Sequence, residues 1–286
     1  MKKKILVLGS SGLLGLHLIN YLKKYHKNFQ INIFKRSNKY NFNNNKFCAR
    51  FLKKNFFDCI INLSAITDID FCKNNKKLSK SVNYEIPNLI CKNILKYNLK
   101  CHLIHISTDQ IYKKYINNFE EKFNIINYYS RTKILAEKEC LKVNSTIIRT
   151  NFFGNSLNNK RLSFSDWIYY NLKKNNKLYV ATDILFSPVR IKTLCKIIHL
   201  CILRKKIGIF NVGSNKGFSK YNFAIYFAKL LKMKKNLIFK TKLQKLNLVE
   251  KRHKDMRMQL KKFEKIFDYK LPSLKNEIKD EIVNYE

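Results

Sequence analysis

Tyr129 and Lys133, four residues apart in Tyr129-Ser130-Arg131-Thr132-Lys133, could together carry out proton chemistry. If this run opens a helix that continues through Ile134-Leu135-Ala136-Glu137, the two side chains share one face. A phenol ionises near pH 10, so it is a poor acid–base group at neutral pH until something stabilises its anion, and a neighbouring ammonium does so. The same spacing also suits an ordinary amphipathic helix, so the pair needs a third element. Ile106-Ser107-Thr108-Asp109 supplies one: a hydroxyl pair at the C-terminal end of a predicted strand, the edge at which open α/β sheets bind ligands.

A second site for chemistry lies at the start of the chain. Gly9-Ser10-Ser11-Gly12-Leu13-Leu14-Gly15 follows the apolar run Ile5-Leu6-Val7-Leu8 and precedes a helix-like stretch through Lys24. A buried strand ending in a glycine turn at a helix N-terminus presents backbone N–H groups and a positive dipole end to a pyrophosphate. The G-x-x-G-x-x-G spacing departs from the simplest G-x-G-x-x-G form and is a weak signal alone. Met1-Lys2-Lys3-Lys4 before an uncharged stretch imitates a secretory signal peptide. However, no small-x-small cleavage site follows, and the stretch runs into Asn20-Tyr21-Leu22-Lys23-Lys24. After the predicted second strand, Gln30 to Phe34, come Lys35 and Arg36. Basic residues at this place accommodate a 2′-phosphate, which favours NADP(H) over NAD(H).

The elements that must position these residues alternate. Strands are predicted at Cys59 to Leu63, Cys101 to Ile106 and Ser145 to Ile148, and Lys77 to Tyr97 has helical spacing with Asn83 on it. Asn38 to Asn45 reads as loop. Such alternation predicts an α/β fold, a Rossmann-type doubly wound parallel sheet. Beyond Asn151 the regularity falls: Ser163 to Asn175 reads as helix, Ile207 to Val212 as strand, and Ser219 as the cap of a helix through Leu231. We therefore expect a dinucleotide-binding domain over 1–150 carrying the Tyr/Lys helix. Residues 151–286 are expected to be mainly a smaller substrate-binding lobe interleaved with the sheet.

Composition narrows the partners. The net charge of +39 over 286 residues could serve a polyanion, but the lysines are scattered and travel with Asn, Ile, Phe and Tyr, as A/T-rich coding would produce. We expect no dedicated nucleic-acid partner. The eight cysteines show no C-x-x-C pair and mostly sit in apolar segments, as reduced core thiols of a cytoplasmic protein do. No apolar run is long enough to span a bilayer. Asp68 and Asp70 do not share a helical face and read as capping or loop groups. His102 and His105, three apart on a strand, point to opposite faces, so no metal site is expected. Trp167 suits stacking on a ligand and packing in a core equally well, and Arg252 is either a phosphate ligand or a solvated charge.

The ordered set of motifs carries a resemblance. The glycine turn, Ile61-Asn62-Leu63-Ser64-Ala65-Ile66-Thr67-Asp68, Val82-Asn83, Ser107-Thr108-Asp109-Gln110-Ile111-Tyr112, Tyr129-x-x-x-Lys133, Ile148-Arg149-Thr150-Asn151 and Phe186-Ser187-Pro188 follow one another in order. Together with Lys251-Arg252, this series resembles extended short-chain dehydrogenases. More narrowly, it is similar to the dTDP-4-dehydrorhamnose reductase family over nearly the whole chain. The resemblance implies a reductase of a nucleotide-activated 4-keto sugar in cell-surface polysaccharide synthesis, using NADPH, with NADH as the lesser alternative. In it, hydride would pass from the nicotinamide to the keto carbon while Tyr129 protonates the forming alkoxide. Lys133 would hold the nicotinamide ribose and depress the tyrosine pKa, and Thr108 would hydrogen-bond the carbonyl oxygen.

By the same carry-over, Gly9, Ser11, Gly12, Leu13, Leu14, Gly15, Ser64, Ala65, Asn83 and Ser107 would line the cofactor site. Asp109, Gln110, Asn151 and Arg252 would meet the substrate, and the assembly would be a homodimer. The chain departs from the family at Tyr128 and Ser130, where glycine is usual, and at His253, where proline is. It departs again at Asn151-Phe152-Phe153, where a tryptophan is common, and it lacks an acidic residue near Cys48-Ala49-Arg50. These departures bear on the substrate more than on the reaction class. Two alternatives remain: a nucleotide-sugar epimerase or dehydratase of the same superfamily, and a non-catalytic dinucleotide-binding regulatory subunit.

Overall fold

The computed structural model describes residues 2–35, 41–115, 118–158 and 161–286. The chain opens with β1 (Lys3–Leu8), α1 (Leu13–Tyr25), β2 (Phe29–Ile33), α2 (Asn45–Asn55), β3 (Cys59–Asn62), α3 (Ile69–Asn74), α4 (Lys76–Lys80) and α5 (Ile86–Lys96). It continues with β4 (His102–Ile106), α6 (Tyr128–Cys140), β5 (Ser145–Thr150), β6 (Phe152–Phe153), α7 (Phe164–Lys173), β7 (Leu178–Ala181), β8 (Leu185–Phe186) and β9 (Val189–Arg190). Last come α8 (Ile191–Arg204), β10 (Gly208–Val212), β11 (Phe218–Ser219), α9 (Lys220–Leu230), β12 (Ile238–Thr241), α10 (Lys261–Phe267) and α11 (Leu274–Glu281).

Two compact units result: Met1–Thr108 with Asn127–Ile148 and Cys195–Phe210, and Asp109–Ile126 with Arg149–Leu194 and Asn211–Glu286. Among the described residues, the first unit is built on a six-stranded sheet in the order β10-β5-β4-β3-β1-β2. The pairings of β1 with β2 and β3, of β3 with β4, and of β4 with β5 are all parallel. β3 and β4 are buried along their whole length, as apolar runs covered on both faces must be. Leu6, Leu8, Ile60 and Leu103 of the strands pack with Leu52, Ile86 and Ile90 of the helices in one core. This is the doubly wound α/β fold expected from the alternation.

The strand order reverses at β1, whose neighbours β2 and β3 lie on opposite sides, and ligands of such sheets bind at this switch point. There Gly9 has φ +78°, and a Cβ on it would stand 2.7 Å from the Leu63 carbonyl carbon and 2.8 Å from the Ser64 nitrogen. The loops after β1 and β3 therefore touch through a glycine that no other residue could replace without moving one of them. Gly15 is more constrained still: its Cβ would lie 2.3 Å from the Gly9 carbonyl oxygen, so the first turn of α1 is pressed onto the turn that precedes it.

The helical stretch expected over 77–97 forms, but not as a single α-helix. A π-helical turn, Ser81–Glu85, separates α4 from α5, and Pro87 stands in the first turn of α5. Proline has no N–H and its ring collides with the carbonyl four residues back, here that of Asn83, so the helix widens at that point.

The second unit is held by short strand pairs, β8 with β11, β7 with β12 and β6 with β9, around Phe153, Phe186, Phe223 and Phe227. Its buried polar groups are cross-linked. Arg149 donates to the Tyr112 hydroxyl at 2.9 Å and the Glu120 carbonyl at 2.8 Å, Tyr112 donates to Asn211 Oδ1 at 2.6 Å, and Glu120 accepts from the Asn211 N–H at 2.9 Å.

Gly15→Ala is expected to lower the melting temperature by about 3–10 °C, the effect of roughly 1–3 kcal/mol of overpacking in a chain of this size. Thermal unfolding measures it, and an unchanged midpoint would disprove the contact with Gly9.

Candidate active site

The first unit gathers the residues expected to handle cofactor and proton. The first turn of α1 contains no acidic residue, and its N-cap, Gly12, makes no side-chain cap bond. Leu14 and Gly15 are buried, whereas Ser11 is exposed. Ser64 and Ala65, half-buried, follow β3, and the Ser64 N–H is bonded to Asn62 Oδ1 at 3.1 Å. Asn83 is fully buried on the π turn and makes contacts within the protein. Its Oδ1 accepts from the Ile66 N–H at 2.8 Å, and its Nδ2 donates to the Ile66 carbonyl at 3.0 Å and to Thr132 Oγ1 at 3.2 Å. It thus fastens the loop after β3 to α6. Lys35 is exposed just past β2, and Arg36 lies outside the described residues.

α6 opens where the sequence places it. Asn127 caps it by accepting from the Ser130 N–H at 2.8 Å, and Ser130 returns a bond from Oγ to the Asn127 carbonyl at 3.0 Å. Tyr129, 5% exposed, packs with Ile69 and Cys72, flanked by Ile66. Lys133 is 1% exposed and donates to the Ile106 carbonyl at 2.7 Å. Burial pulls its pKa down to about 8, against the opposing pull of Glu137 one turn along. Ser107 and Thr108 are buried at the end of β4. The Ser107 N–H bonds the Ile148 carbonyl at 2.7 Å, and its hydroxyl donates to the Glu137 carboxylate.

Three residues of this cluster escaped the sequence reading. Glu137 receives the Ser107 hydroxyl, while Asn62 and His105 meet at Nδ2···Nδ1 3.2 Å, and His105 Nε2 stands 3.4 Å from Lys133 Nζ. Only the β3–β4 register, which pairs Asn62 with His105, could have revealed these last two. His102, by contrast, bonds Thr146 Oγ1 at 2.7 Å. Asp68 caps α3 by accepting from the Phe71 N–H at 2.9 Å. Among the described residues, no group of three or more His, Cys, Asp or Glu could hold a metal ion.

The second unit holds the residues expected to meet substrate. Asp109 is 2% exposed and accepts from Asn151 Nδ2 at 2.8 Å and Gln110 Nε2 at 3.3 Å. Burial pushes its carboxyl up to about 6, against those two bonds and the nearby Lys220. Lys220, which the sequence reading also missed, opens α9 after the Ser219 cap. It is half-buried, with its ammonium 4.8 Å from the Phe164 ring centroid. Burial lowers its pKa, Asp109 opposes this, and Arg252 adds to it. Arg252 donates to the Glu250 carbonyl at 2.8 Å. His253 is buried with Nε2 2.8 Å from the Asn124 carbonyl oxygen. Trp167 is 38% exposed and stacks on Phe164.

Comparison with known proteins identifies the family of the chain. The sequence model of the family described as the RmlD substrate binding domain matches residues 2–286. The chain belongs to that family. Agl14, a probable low-salt glycan biosynthesis reductase of Haloferax volcanii, is 24% identical over 176 residues, taking in 58% of this chain and 57% of that protein, little more than half its length.

Two solved structures show how closely the fold of this RmlD-family chain is shared. The dTDP-4-dehydrorhamnose reductase of Bacillus anthracis in complex with NADP superposes with a TM-score of 0.90 at 20% identity, covering 99% of this chain and 100% of that one. RMD from Pseudomonas aeruginosa, complexed with NADPH, superposes with a TM-score of 0.78 at 15% identity, covering 100% and 99%.

The raised carboxyl of Asp109 has a consequence for stability. Its folded pKa of about 6 lies above the unfolded value of 3.8, so this group favours the fold most in acid, and the advantage is lost as pH rises from about 4 to about 6. Asp109→Asn carries no charge and should therefore gain stability over wild type across that interval and hold the gain above it. Melting temperatures of both proteins at pH 4.5 and pH 8 check this: a gap of a few degrees at pH 8 and a smaller one at pH 4.5 is expected, and equal gaps would refute the buried charge.

Proposed function

We propose that this chain is an NADP(H)-dependent reductase of a nucleotide-activated 4-keto sugar, working in the cytoplasm on cell-surface polysaccharide synthesis. The observation that carries the reading is the buried pair on α6, Tyr129 and Lys133, with the lysine amine bonded to the last carbonyl of β4 just before Ser107 and Thr108. The names of the relatives support it: a glycan biosynthesis reductase and a dTDP-4-dehydrorhamnose reductase holding NADP. The eight buried free thiols suit the cytoplasm, and a homodimer is the assembly this reading carries.

The first unit fits the cofactor. A helix start with no side-chain cap and no first-turn acid offers its amides and dipole to a pyrophosphate, and Lys35 with Arg36 supplies charge for a 2′-phosphate. When bound, NADPH supplies the hydride. Tyr129 gives its phenolic proton to the substrate oxygen, and Thr108 donates a hydrogen bond to that oxygen. Lys133, as ammonium, stabilises the phenolate that Tyr129 becomes. Asp109, Asn151, Gln110 and Arg252 bind the substrate.

Tyr129→Phe is expected to lower kcat by about a hundred- to ten-thousand-fold, the range of general acid catalysis, with the NADPH dissociation constant within about threefold of wild type. Steady-state NADPH oxidation with dTDP-4-dehydrorhamnose and fluorescence titration of the cofactor measure the two, and a variant that keeps most of its activity would sink the mechanism. Replacing Lys35 and Arg36 together by alanine should weaken NADPH about tenfold or more while leaving NADH within about threefold, since each charge contact to phosphate contributes on the order of 1 kcal/mol. Equal losses for the two cofactors would refute the role of the basic pair.

A further inference from the structure

We propose that His105 is the positioning residue for Lys133: its imidazole is the centre of a one-way hydrogen-bond chain running from the Ser64 amide through Asn62 to the lysine amine. The inference rests on the reductase reading only for its kinetic consequence, since the chain itself follows from register and donor inventory. Asn62 and His105 are paired in the parallel β3–β4 ladder, so their side chains stand side by side on one face of the sheet. Asn62 Oδ1 accepts from the Ser64 N–H at 3.1 Å, and this decides which way the amide faces. Its Nδ2 is then 3.2 Å from His105 Nδ1 and must donate to it.

A neutral imidazole has one N–H, so with Nδ1 accepting, the proton sits on Nε2. His105 is neutral because it is fully buried and faces Lys133, both of which hold it well below its ordinary pKa. Nε2–H then points at Lys133 Nζ, 3.4 Å away. Two donors cannot bond each other, so in this arrangement the lysine is the amine, accepting from His105 and donating to the Ile106 carbonyl at 2.7 Å.

The other groups around Lys133 pull in both directions. Burial favours the amine, while Glu137 and Cys140, from the same helix, favour the ammonium; a charge on Lys133 in turn disfavours one on His105. When Lys133 takes up a proton, the imidazole must move its own proton to Nδ1 and the Asn62 amide must turn over, releasing the Ser64 N–H into the loop after β3. The charge on the lysine and a backbone donor of that loop are thereby the two ends of one switch, and no group leaves the protein interior to operate it.

The chain has only six histidines, so the tautomer can be read directly. In the intact 286-residue chain labelled with 15N-histidine, long-range proton–nitrogen spectra from pH 6 to pH 10 identify His105 as the signal missing from His105→Gln. The expected result is an Nε2–H tautomer above about pH 8 that converts to Nδ1–H below it, the midpoint following Lys133. Lys133→Met should leave a single tautomer throughout. A tautomer that does not change over this range, or a ring that becomes charged near 6.5, overturns the proposal.

Kinetics supply the second arm. Asparagine at 105 keeps a group at the Nδ1 place for Asn62 but withdraws from Lys133 and admits water, whereas glutamine reaches the Nε2 place. His105→Asn should therefore lower kcat about tenfold, the scale set by partners that orient a first-contact group, and move the basic limb of the pH profile upward, with the KM for NADPH within about threefold. His105→Gln should stay within about threefold in kcat. Equal rates and pH profiles in the two variants and wild type would mean that His105 only packs the core. If wild type fails to oxidise NADPH with dTDP-4-dehydrorhamnose, the reductase reading falls, while the tautomer measurement still decides the hydrogen-bond chain.

Discussion

The bond from Lys133 Nζ to the Ile106 carbonyl, 2.7 Å long and wholly inside the first unit, is the constraint on which the rest of that unit depends. A lysine amine taken out of water costs several kcal/mol unless its protons find acceptors, and the acceptor here is the last carbonyl of a parallel strand. That carbonyl is available because β4 stops there and the next N–H, of Ser107, pairs with Ile148 on β5. Helix α6 must therefore lie at one height along β4, with Tyr129 one turn earlier on the same face. The Asn127 cap defines where the helix starts, and the Ser130 hydroxyl reinforces the cap.

The second constraint comes from the loop after β3. It has to approach Gly9 closely, and it is held there by Asn83, whose side chain satisfies both the N–H and the carbonyl of Ile66 while reaching Thr132 on α6. Asn83 can do so because Pro87 forces a wide turn at this place in the helix. A backbone irregularity required by one proline thus joins the loop after β3 to the helix that carries Tyr129 and Lys133.

In the second unit, buried charge is managed by crossed hydrogen bonds. Arg149 lies against the rings of Tyr112 and Phe123 and is bonded to Tyr112 and Glu120. Asn211 closes the network from the other side. Arg149 and Tyr112 belong to motifs that drew attention in the sequence, yet the bonds they make here are structural, and so is that of His253, whose ring meets the Asn124 carbonyl. Lys220 differs: its cation lies over an aromatic ring and is coupled electrostatically to Asp109 and Arg252.

The glycine spacing, the apolar strand runs, the Ser219 cap and the Tyr129/Lys133 interval were all legible in the sequence, because each depends on residues within a few positions of one another. The doubly wound class followed from their alternation. The π turn at Ser81–Glu85, the pairing of Asn62 with His105, the bond from Lys133 to Ile106 and the place of Lys220 were not, because each joins residues whose nearness depends on strand order, register or helix placement. Local chemistry determined which groups this protein possesses, while the tertiary structure decided which of them are buried together. Burial is what turns an ordinary lysine into one that titrates near 8 and a core histidine into its neighbour.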